Sequence, residues 1–92
     1  MSISLESVTN LGINVIDRTI SADGIPCKGT DAMWSAIPAN VWGISYEYGK
    51  AVVEHYDSTN GLPTENVEYA NISDIPYSSA FDITEDPWVP MP

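Results

Sequence analysis

The chain has 92 residues, of which 13 are Asp or Glu and 3 are Lys or Arg, for a formal net charge of −10 at pH 7. With Arg18, Lys28 and Lys50 as its cations it can assemble no basic groove, which argues against direct contact with a nucleic-acid backbone or an anionic membrane surface. The length suits one small domain, and a hydrophobic fraction of 43 % supplies enough apolar surface for a core.

Cys27 is the single cysteine and His55 the single histidine, so neither an intrachain disulfide nor a closed zinc site can form within one copy. Residues 1–6 contain no basic stretch followed by an apolar run, and no apolar window reaches the roughly 18 residues a membrane-spanning helix needs. The expectation is one soluble domain over residues 1–92, with residues 84–92 an irregular proline-rich tail.

Residues 11–20 alternate and are rich in β-branched side chains, which predicts a strand. Asp23-Gly24 then supplies the two left-handed positions of a type I′ hairpin turn, returning residues 25–28 antiparallel. Pro26 places that return arm at a sheet edge. Thr30 is a candidate N-cap for a short helix that ends before Pro38, and Met33, Trp34 and Ile37 are the side chains that would dock it onto a sheet.

Residues 41–46 and 51–56 are dense in aromatic and β-branched residues and read as a hairpin. The spacer Glu47-Tyr48-Gly49-Lys50 predicts a four-residue connection built on a type I turn with a bulge. Strict alternation sets Trp42, Ile44 and Tyr46 on one face, and Gly43 marks a bend or a close approach. After a turn-rich loop over 57–64, residues 65–72 read as a third meander strand with Val67 and Tyr69 on one face. Ser73 is a candidate cap for a short turn or helix running through Phe81. The fold class expected is mainly β, at the border of α+β: a small antiparallel meander with one or two short helices.

Chemistry is sparse. His55 lies between Glu54 and Tyr56, but alternation turns its ring away from both, which favours a structural or surface role over a catalytic one. The run from Asp57 to Gly61 resembles the start of a calcium loop, yet its glycine falls at the fifth position rather than the sixth, which favours a plain polar loop. No nucleophile elbow or acid–base pair is present, so no catalytic, cofactor-binding or metal-binding residue is assigned and the chain is not expected to be an enzyme. The aromatic residues are the sharper feature. Trp34 and Trp42 serve either a core poor in Leu and Phe or a contact surface, and Trp88 an interface or a docked tail.

The middle of the chain resembles small tailed-phage virion-associated proteins, encoded near tail-fibre and structural genes. The residues that carry the resemblance are Gly29-Thr30-Asp31-Ala32-Met33-Trp34 and the run from Ile37 to Tyr46. Further along are the turn at Gly49, the strand Val52-Val53-Glu54-His55-Tyr56-Asp57, the loop Asn60-Gly61-Leu62-Pro63 and the segment from Ile72 to Tyr77. The similarity spans residues 29–82. Ser45-Tyr46 departs from it where a Gln-Trp pair is expected, and the loop before Pro63 is longer.

The resemblance implies a non-enzymatic structural accessory protein, made in the host cytoplasm and carried on the virion. It would bind a larger phage protein, by tail-fibre or baseplate attachment or by capsid decoration, and several copies on a symmetric assembly are compatible with that role. Candidate contact residues are Trp88, Val89 and Met91, followed by Tyr46, Tyr48 and Tyr56. Strand addition at the edge formed by residues 25–28 is one route of attachment. The competing expectation is an acidic phage-encoded inhibitor that occupies a nucleic-acid site on a host protein. A sugar-binding tip built on tryptophan faces is a third.

Overall fold

The computed structural model describes Leu5 and residues 7–85. Seven strands form one antiparallel sheet: β1 (Asn10–Asn14), β2 (Thr19–Ala22), β3 (Ile25–Gly29), β4 (Val41–Glu47), β5 (Lys50–Tyr56), β6 (Pro63–Tyr69) and β7 (Ile83–Glu85). Their order across the sheet is β6-β5-β4-β1-β2-β3-β7. One α-helix, α1 (Asp31–Ala36), and two 3-10 turns (Ile72–Asp74 and Ser78–Ala80) complete the chain. This is the mainly β architecture expected from the strand patterns.

The sheet is buried on one face. Leu11 pairs with Ala22 and Tyr46, Ile13 with Ile20 and Ile44, and Ile44 with Val53, so one set of cross-strand partners lines the core. Met33, Trp34 and Ile37 from the helical segment, with Ile72 and Ile75 from the first 3-10 turn, join the same cluster. Docking of this kind stabilises a six-residue helix that could not persist alone. Thr30 caps it, its Oγ1 accepting a hydrogen bond from the Met33 amide at 3.2 Å. The opposite face carries Gly12, Asn14, Thr19, Ser21, Gly43, Ser45 and Glu54 in mutual register, the polar side of a one-sided antiparallel sheet.

Several local expectations hold. Asp23 and Gly24 both have positive φ, 50° and 82°, as a type I′ turn requires. Val67 and Tyr69 share the inward side of β6, opposite Val53 and Ala51. Other elements differ. The strand expected over residues 11–20 is two strands, because Asn14 folds back at residue 17: its Oδ1 accepts from the Asp17 amide at 3.0 Å, and Arg18 takes a φ of 56°. The β4–β5 connection is a two-residue type I′ turn, with Glu47 pairing Lys50 and positive φ at both Tyr48 and Gly49. The third meander strand begins at Pro63 and ends at Tyr69, shifted toward the N-terminus from residues 65–72. The cap of the first 3-10 turn is Asn71, whose amide donates to Asp74 Oδ2 at 3.2 Å, and Ser73 lies inside the turn.

The return arm β3 is not an edge. It lies between β2 and β7, with Cys27, Lys28 and Gly29 opposite Glu85, Thr84 and Ile83. Strand addition there is therefore blocked, and residues 84 and 85, expected in the irregular tail, are strand. Pro26 is tolerated for a different reason. It lies one residue beyond the closing pair of a two-residue hairpin, in a non-hydrogen-bonded position, so its missing N–H falls on the β7 side, past the last described residue of that strand. No helix among the described residues is long and apolar enough to cross a membrane.

Candidate functional site

The open face of the sheet holds a trough of about 320 Å³. Its floor is made by Gly12 and Gly43, which lack side chains where neighbouring strands would carry them, and its walls by Asn14, Thr19, Ser21, Ser45, Glu54 and Trp42. Trp42 reaches this face because β4 bulges between Val41 and Gly43 against His55 and Glu54 of β5. The extra residue breaks the alternation, as bulges do. Val41 takes the inward position and is 1 % exposed, whereas Trp42 is half-buried on the trough. Trp42 thus does not share the face of Ile44 and Tyr46; of the two tryptophans read as core or contact residues, Trp34 is core and Trp42 lines a surface.

Gly43 is a site of close approach as well as a bend. A Cβ at that position would lie 3.0 Å from Glu54 Oε2, so the carboxylate rests over the glycine. Glu54 is half-buried and has no hydrogen-bond or ion-pair partner among the described residues. Asn14, by contrast, is turned toward its own loop, with Nδ2 donating to Asp17 Oδ2 at 3.4 Å.

The second feature is the tip of the β4–β5 hairpin. Tyr48 is 93 % exposed, with φ at 51°. A bulky aromatic residue in the left-handed region is an outlier, since the Cβ crowds the backbone and type I′ turns select Asn, Asp or Gly at this position. Nothing in the fold compensates, because the ring packs on almost nothing.

The other candidate contact residues are dispersed. Tyr46 is half-buried and packs against the core, where it borders a cavity with Leu5, Ile72 and Ser78. Tyr56 ends β5, its amide donating to the Asn40 carbonyl at 2.8 Å. It is five residues from Ala51, the cross-strand partner of Tyr46, or about 17 Å along the strand. The three tyrosines therefore form no common patch. Trp88, Val89 and Met91 lie outside the described residues.

The remaining polar motifs close on the backbone. His55 Nδ1–H donates to the Glu65 carbonyl at 3.1 Å, which fixes the ring in the β5–β6 pairing. In the 57–62 loop Asp57 Oδ1 accepts from the Thr59 amide at 2.8 Å, and Asn60 Oδ1 from the Leu62 amide at 2.9 Å, the contacts of a self-contained polar loop. Carboxylates do not form rows on the β4–β6 strands: Glu47 faces Lys50, Glu54 faces Asn66 and Glu68 faces Val52. Alternation of Gly12 and Gly43 with Ser21 and Ser45 was the signal in the sequence from which the trough could have been anticipated. No family model, curated protein or solved structure matches this chain.

Proposed function

We propose that the chain is a non-enzymatic binding protein, an accessory component of a phage particle that attaches to a larger virion protein with Tyr48 as the anchor of the contact. The observation that carries the binding role is the backbone of Tyr48: an exposed aromatic ring held at positive φ where Asn or Gly would be cheaper. Strained residues of this kind collect at functional sites, and tyrosine is among the side chains that concentrate binding energy at interfaces. A rigid two-residue hairpin presents the ring at little further cost in conformational entropy. The virion setting rests on the sequence resemblance over residues 29–82. Copies repeated on a symmetric particle would convert a small single-residue contact into tight attachment.

The test is light scattering of the purified protein with candidate virion proteins at low and high salt, for the natural chain and for Tyr48→Asn. A complex that survives high salt and is lost in the variant supports the reading. Equal binding by both chains refutes Tyr48 as the anchor. Salt-sensitive binding to a host nucleic-acid-handling protein in place of any virion protein would replace the reading with the inhibitor.

A further inference from the structure

We infer that the trough on the open sheet face is a binding site for an arginine side chain presented by a partner protein, its guanidinium held between the Trp42 indole and the Glu54 carboxylate. This does not depend on Tyr48, which sits at the far end of β4. Glu54 is the starting point. Its carboxylate lies over Gly43 on the trough with no donor among the described residues, so its oxygens are open to an incoming cation.

The chain's own cations are placed elsewhere. Lys50 is 2.8 Å from Glu68 in an ion pair, Lys28 sits on β3 opposite Thr84, and Arg18 is in the β1–β2 turn. None of them pairs with Glu54 among the described residues, so the carboxylate is left to a cation from outside, which a net charge of −10 attracts.

Trp42 selects the kind of cation. An indole face attracts a positive group over its ring, and a planar guanidinium can stack on it while forking two N–H groups toward a carboxylate, which an ammonium cannot do. The size agrees, because about 320 Å³ is at the low end for ligand cavities and suits one side chain rather than a nucleotide. The glycine floor matters for the same reason: side chains at 12 and 43 would fill the space the incoming group needs. The hydroxyls of Ser21 and Ser45 on the trough walls are available to the partner's peptide groups.

The experiment follows the Trp42 indole N–H by two-dimensional NMR of the full chain, titrated with N-acetylarginine methylamide. N-acetylglutamine methylamide, maltose and agmatine are run in parallel. The expected result is a saturable shift with capped arginine, weakened by salt and by about tenfold in Glu54→Gln, with no shift from the two neutral probes. Gly43→Ala is the second variant: its Cβ meets Glu54 Oε2 at 3.0 Å and displaces the carboxylate without changing the charge, so it should weaken binding too. The inference is overturned if capped arginine produces no shift, if Glu54→Gln binds it equally well, or if maltose or the glutamine analogue competes. Agmatine binding more tightly than capped arginine would overturn the protein-borne source.

Discussion

Replacing Tyr48 by asparagine should stabilise the fold while abolishing the proposed contact. The left-handed conformation costs an ordinary L-residue about 1–2 kcal/mol relative to the right-handed one, whereas asparagine enters it readily through local hydrogen bonding. Tyr48 sits there with φ at 51°, followed by Gly49 at 75°, so an asparagine ahead of Gly49 would complete the preferred Asn-Gly pair of a type I′ turn. Because the ring is 93 % exposed, its removal sacrifices almost no packing. The net gain expected is about 0.5–1 kcal/mol, which for a domain of this size is a rise of about 2–8 °C in Tm. Urea unfolding followed by far-UV circular dichroism measures it, with Tyr48→Phe as the control that should leave stability unchanged. A variant less stable than the natural chain would refute the reasoning, since it would mean that Tyr48 supports the fold by contacts its exposure does not permit.

Gly29→Ala should destabilise by about 1–3 kcal/mol, because the added Cβ would come within 2.7 Å of Met33 Sδ and 3.2 Å of Ile20 Cδ1, and both of these buried side chains would have to shift; the midpoint of urea unfolding reports it. Asp23 Oδ1 accepts from the Thr9 hydroxyl and from the amides of Asn10 and Thr9, and the Thr9 hydroxyl above all holds its carboxyl below the ordinary 3.8. The folded state therefore prefers the ionised form: the contribution is fully present above pH 3.8 and is lost as pH falls through the lower folded value. Asp23→Asn should accordingly be less stable than the natural chain at neutral pH and converge with it in acid, as denaturation across that range would reveal. Lys50→Ala should cost less than about 0.5 kcal/mol, since both members of the Lys50–Glu68 pair are more than half exposed; a larger loss in a thermal melt would contradict that reading.

What could be read from the chain is what short-range chemistry dictates. The Asp23-Gly24 turn, the Thr30 cap, the stop at Pro38 and the strands on either side of Tyr48-Gly49 each depend on residues within a few positions of one another, and all of them form. The buried face was not among them: residues 11–20 carry polar and apolar side chains on both faces, which suits a strand covered partly on each side. Only the assembled sheet sets Leu11 and Ile13 with Ala51 and Val53 on the core side. Tertiary structure decided the rest. Pairing of β7 with β3 joins residues 83–85 to 27–29 and removes the edge that Pro26 had implied. The Val41–Gly43 bulge moves Trp42 out of the core and into the trough beside Glu54. Neither is written locally: a strand's neighbour depends on what else competes for its edge, and a one-residue slip in register reverses every side chain beyond it.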